Sequence, residues 1–139
     1  MRHVIVGTDR DGITLQHRKL EGFLDGFATA LEEQDRHACE TMAFRLEGAM
    51  RAHFDVEEQV IFPSVTGEDP ELTPEIEKLV SDHHELRRRL EEMSMSVATA
   101  EAGVVQHALT DFRRALGRHE HIEEALLARA RERKNGSGG

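Results

Sequence analysis

Apolar residues recur along this chain at the three- and four-residue spacing of helices that bury one face. The first stripe begins at Ile13 and runs through Leu20, Phe23, Leu24, Phe27 and Leu31. The second passes through Ala38, Met42, Phe44, Leu46, Ala49, Met50, His53, Val56, Val60 and Ile61 to Phe62. Pro63, which lacks an amide hydrogen, is expected to end that helix. Turn-forming residues then crowd positions 63–72, the one clear loop in the pattern. A third helix is expected behind it, with Thr73 as cap, Pro74 at the first helical position, and Glu75 and Glu77 near the positive end of the dipole. Its stripe of Leu79, Leu86, Leu90 and Met93 fades over residues 94–96, and a fourth helix carries Val105, Leu109, Phe112, Leu116, Ile122, Leu126 and Leu127. The pattern predicts an all-α chain: an arm at residues 1–12, four helices within residues 13–134, and a disordered tail at residues 135–139 that has nothing to bury.

A shift of 66 residues lays the second half of the sequence on the first. His17-Arg18-Lys19-Leu20 falls on His83-His84-Glu85-Leu86, while His53, Glu57, Glu58 and Ile61 fall on His119, Glu123, Glu124 and Leu127. Within each half the two histidines are 36 residues apart, so in an antiparallel hairpin they lie level if the turns fall at the midpoints, Asp35 and Glu101. The expected fold is an antiparallel up-down-up-down four-helix bundle with an internal two-fold repeat and four histidines level at one end.

A glutamate four residues after a histidine lies one turn further along the same helix face. Glu57 and Glu123 therefore point where His53 and His119 point. Together with His17 and His83 they form four imidazoles and two carboxylates inside a helical bundle, a set able to hold two divalent ions with the carboxylates as bridges. One His-x3-Glu pair carries little weight, since His17 and Glu21 supply another. The registration of all six residues under one offset carries the argument. Glu58 and Glu124 are rotated about 100° from the inward face and are expected around the ligands, with Glu124 in reserve as a ligand. His84 and His121 do not superimpose as their neighbours do. Glu21 and Arg87, at matching positions one turn from the histidines, are expected to form an ion pair. His3, His37 and His107 read as surface residues, Cys39 as an ordinary helix residue, and Met42, Met50, Met93 and Met95 as core filler.

Composition narrows the partners. The 139 residues carry 18 Lys and Arg against 27 Asp and Glu, a net charge of −9 that repels nucleic acid. No apolar run approaches the roughly 20 residues of a membrane span, the first residues do not form a secretory signal, and Cys39, the only cysteine, cannot make an intrachain disulfide. A cytoplasmic protein, monomer or homodimer, is expected, with no nucleic-acid or membrane partner. Nine histidines are the unusual feature, and the lack of a cysteine cluster leaves iron, manganese or zinc as candidate metals.

At these residues the sequence resembles the hemerythrin-like, HHE cation-binding domain family: His in the first helix, His-x3-Glu in the second, His in the third and His-x3-Glu in the fourth. The resemblance covers about residues 13–130. It implies a non-heme di-iron centre, oxo- or hydroxo-bridged, with manganese or zinc less favoured. Its ligands would be His17, His53, Glu57, His83, His119 and Glu123, with Glu57 and Glu123 as bridges and no catalytic residue separate from them. Respiratory hemerythrins carry His-x3-His on the third helix, where this chain has Arg87, and His-x4-Asp on the fourth, where it has Glu124. The resemblance therefore points away from oxygen storage, toward open coordination and reaction with a small oxidant: hydrogen peroxide in catalase-like turnover, dioxygen or nitric oxide. The alternatives are a non-catalytic oxygen, nitric oxide or iron sensor, and a zinc-loaded or metal-free structural bundle. No second domain or basic patch offers a signalling output, which favours an enzyme or carrier acting alone.

Overall fold

A computed structural model describes residues 12–137, with side chains described through residue 130 and at Glu132. Among these residues there is helix and no strand. In chain order they form α1 (Ile13–Glu32), α2 (Arg36–Val56), a π-helical turn (Glu57–Ile61), α3 (Phe62–Glu68), a 3-10 turn (Pro70–Leu72), α4 (Thr73–Ser96) and α5 (Ala102–Ser137). The four long helices close a ring: α1 and α4 each pack against both α2 and α5.

Both expected turns are present. α1 ends with Gln34 at φ 55°, its amide donating to Leu31 O and that of Asp35 to Ala30 O, which satisfies the last carbonyls. Asp35 then caps α2 by accepting from the Ala38 amide at 3.0 Å. Glu101 immediately precedes α5.

Pro63 does not end the second helix. The chain stays helical through it because the π-helical turn lies just ahead: Phe62 N–H reaches back five residues to Glu57 O, and the wider turn takes the upstream carbonyls out of register with the proline ring. The expected loop at 63–72 is consequently α3 and the 3-10 turn, broken only at Asp69. Thr73 is not an acceptor cap; its hydroxyl donates back to Pro70 O at 2.8 Å. At the far end α5 is helical through Ser137, three residues into the expected tail, since each added turn costs little once a helix is nucleated. Residues 1–11, which include most of the arm and His3, and residues 138–139 lie outside the described residues.

Two apolar clusters form the core. One joins the four long helices through residues such as Leu24, Phe27, Leu46, Phe112 and Leu116. The other gathers Ile13, Phe62, Val65, Ile76 and Leu126. Each fully buried side chain of this size contributes roughly 1.5–3 kcal/mol. On α1, α4 and α5 the predicted ligands fall between the two clusters: Ile13, His17 and Leu20 on α1, Leu79, His83 and Leu86 on α4, and Leu116, His119, Glu123 and Leu126 on α5. The histidine layer is therefore not at an open end, because α3 and the 3-10 turn bring Phe62, Val65 and Leu72 over it. Phe44, Val60 and Ile122, counted in the apolar stripes, are exposed. Phe44 lies two residues from Leu46, which puts it on the opposite face, and Val60 is turned outward by the π-helical turn. Met50 and Met93 fill the core as expected, whereas Met95 is exposed.

Candidate metal centre

All six sequence-predicted residues meet in one buried layer. His17, His53, Glu57 and Glu123 form one group and Glu57, His83, His119 and Glu123 a second; in each, one donor atom per residue lies within 4.8 Å of the others. Glu57 and Glu123 belong to both. The two carboxylates are 0% exposed, as is His83, and the other histidines are nearly so. His84 and His121 are exposed, as are His37 and His107.

The imidazoles share one orientation. Each turns Nε2 inward: His17 lies 3.0 Å from Glu123, His53 3.3 Å and His83 3.1 Å from Glu57, and His119 4.0 Å from Glu123. Each turns Nδ1 outward to an oxygen: His17 to Glu124 at 2.7 Å, His83 to Glu58 at 2.6 Å, His119 to Asp82 at 3.4 Å and His53 to Gln16. An oxygen at Nδ1 makes that nitrogen the N–H donor and leaves the Nε2 lone pair facing in.

Among the described residues, nothing hydrogen-bonds to seven of these inward atoms. Nε2 of His17, His83 and His119 and both oxygens of Glu57 and Glu123 are buried without a hydrogen bond. Nine buried side-chain atoms lack a partner among the described residues, and seven of them are these. Seven unsatisfied acceptor atoms facing one another would cost several kcal/mol in a structural core, whereas a cation would satisfy them together. The donor set, imidazole nitrogen with carboxylate oxygen, fits a first-row divalent metal.

Electrostatics differ across the layer. Burial lowers His53 to about 4, helped by the nearby His17 and His119, and lowers His83 to about 3, helped by His119. Burial also acts on His17, but Glu123, Glu120 and Glu124 outweigh it and raise that ring above its ordinary value. Burial and the adjacent Glu123 lift Glu57 well above the carboxylate range. Glu123 moves the other way, its burial outweighed by Glu57 and His17.

Glu58 and Glu124 hold histidine rings, as their rotation from the inward face suggests. The expected Glu21–Arg87 pair does not form. Arg87 lies 3.4 Å from Glu58 and 3.6 Å from Asp55, with its guanidinium 5.3 Å from the centre of the Phe54 ring, while Glu21 pairs with Arg113. Glu21 and Arg87 are on α1 and α4, which face each other across the ring of helices. Matching positions thus place them on opposite sides.

Sequence reasoning missed Gln16 and Asp82, although each directly precedes a predicted ligand and the two coincide under the 66-residue shift. It also missed Phe54 and Glu120, which follow His53 and His119. Phe54 stacks on His83 with centroids 3.9 Å apart. Glu120 sits 3.8 Å from His17 Nε2, and burial, with the surrounding carboxylates, raises it to about 7 against the pull of His17.

No helix among the described residues is long and apolar enough to cross a membrane. No curated protein and no solved structure matches the chain. The model of the hemerythrin HHE cation-binding domain does match, over residues 8–130, which include every donor described above; the chain belongs to that family.

Proposed function

We propose that this chain is a non-heme di-iron protein that reacts with a small oxidant, hydrogen peroxide in catalase-like turnover or dioxygen. His17 and His53 would hold one ion, His83 and His119 the other, and Glu57 and Glu123 would serve both. The observation that carries this reading is the set of seven buried, unpartnered nitrogens and oxygens divided into two groups with two shared carboxylates. An iron pair supplies two one-electron changes, enough for a two-electron oxidant.

The remaining work belongs to the side chains. Gln16, Glu58, Asp82 and Glu124 fix the imidazole tautomers, so each Nε2 lone pair is preset. The apolar clusters on either side exclude water, and Phe54 stacked on His83 leaves that ring little freedom. The reading takes the ring of helices as an up-down-up-down bundle with a two-fold repeat over residues 13–134. The recurrence of the His17–Glu124 and His53–Gln16 contacts, 66 residues on, as His83–Glu58 and His119–Asp82 supports it. We place the protein in the cytoplasm, as monomer or homodimer.

The test is anaerobic loading with Fe(II), measurement of iron per chain and of the visible spectrum, then addition of peroxide. Two irons per chain, charge-transfer bands and released dioxygen are expected. Two irons without turnover would replace the enzyme with a carrier or sensor, and no bound iron would overturn the reading.

A further inference from the structure

Under the 66-residue shift, Phe54 and Glu120 hold matching places, each directly after the histidine of a His-x3-Glu pair. Phe54 lies against His83, its ring stacked at an interplanar angle of 17°. Glu120 lies against His17, and its Oε2 approaches the inward nitrogen of that ring to 3.8 Å. That oxygen is buried and makes no hydrogen bond. No lysine or arginine pairs with Glu120 among the described residues; His17 attracts it from beyond hydrogen-bond distance, and the neighbouring carboxylates Glu123 and Glu124 repel it. A carboxylate oxygen kept from water and given no donor is unfavourable unless a cation completes it.

We propose that Glu120 is a seventh protein ligand, committed to the ion held by His17 and His53. This inference rests on the metal reading above and adds an asymmetry to it. The His17 side offers five residues, His17, His53, Glu57, Glu120 and Glu123, whereas the His83 side offers four, with the Phe54 ring where a fifth would stand. The ion at His83 and His119 therefore keeps more open positions, and a small exogenous ligand meets that ion first.

The test is titration of the metal-free full-length protein with Co(II), followed by calorimetry and by the cobalt d–d bands, in wild type, Glu120→Gln and Glu120→Phe. Glu120→Gln keeps the shape, and Glu120→Phe copies the other half of the site. The expected result is two cobalt ions of unequal affinity in wild type, with one weakened at least tenfold and its bands altered in both variants. The other ion should stay within about twofold. Two ions bound by wild type and by Glu120→Gln with the same affinities and the same bands would overturn the role of Glu120 and leave the metal reading intact. A wild-type protein that takes up no cobalt would overturn both.

Discussion

His17 and His83 occupy matching places in the two donor groups, yet their surroundings are chemically opposed. His83 is fully buried, stacked between Phe54 and Phe62, and held well below its ordinary pKa, whereas His17 faces Glu120, Glu123 and Glu124 and is raised. The surface clefts beside the second-helix histidines divide the other way, with the apolar one on the His17 side and the charged one on the His83 side. The one of about 290 Å³ at His53 is walled by Leu20, Phe23, Ala49 and Val56, and the one of about 260 Å³ at His119 by Lys78, Glu85, Arg89 and Arg118. One ligand spacing has thus been placed in two environments. Spacing determines which atoms can reach an ion, and the environment determines how strongly each holds it.

The largest effect tests where the two sides stop being separate. Glu57 approaches both His53 and His83. Glu57→Ala should therefore lose both ions, with affinity down on the order of a hundredfold or more, while His53→Ala should lose only one. Metal analysis per chain after gel filtration distinguishes them. Retention of one tightly bound ion in Glu57→Ala would show that the carboxylate is not shared.

Acid pH should expose the opposition between the two histidines in metal-free protein. His53 and His83 are depressed when folded, so below their ordinary 6.5 the unfolded chain takes up protons first. Their contribution is full above pH 6.5 and is lost as the pH falls through about 4 and then about 3. The loss is on the order of a few kcal/mol at about 1.4 kcal/mol per unit. His17 has the opposite sign: its contribution is present below 6.5 and disappears as the pH rises through its raised folded value. Urea unfolding midpoints between pH 4 and 8 should show an acid-side decline that His83→Gln flattens and His17→Gln steepens. An equal response in both variants would remove the distinction.

A smaller difference is expected between the carboxylates that hold the outward nitrogens. Glu58 is 24% exposed and also meets Arg87, whereas Glu124 is 43% exposed. Glu58→Ala should weaken the ion on its side about tenfold or more, and Glu124→Ala severalfold, because water replaces the more exposed group more readily. Parallel titrations of the two variants measure this, and equal losses would mean that exposure does not set the strength of these contacts.

Much of the site was legible in the sequence because ligand placement is a matter of period. A helix puts residues four apart on one face whatever surrounds it, so His53 with Glu57 and His119 with Glu123 could be paired before any packing was known. The turns at Asp35 and Glu101 followed from equal spacing. The Pro63 helix end and the Glu21–Arg87 pair failed for a common reason. Whether a proline ring clashes depends on the register of the turn before it, and whether two charges meet depends on which helices are neighbours.

The sequence by itself determined four helices, the six inward residues and their shared layer, since periodicity and registration are properties of the chain alone. Tertiary packing decided what surrounds that layer. It supplied the oxygen at each Nδ1 from a different helix, covered the site with α3 and the 3-10 turn, and set Phe54 against His83 and Glu120 against His17. These contacts join residues far apart in sequence. Their strength comes from burial and from the field of neighbouring charges, neither of which exists until the helices have packed.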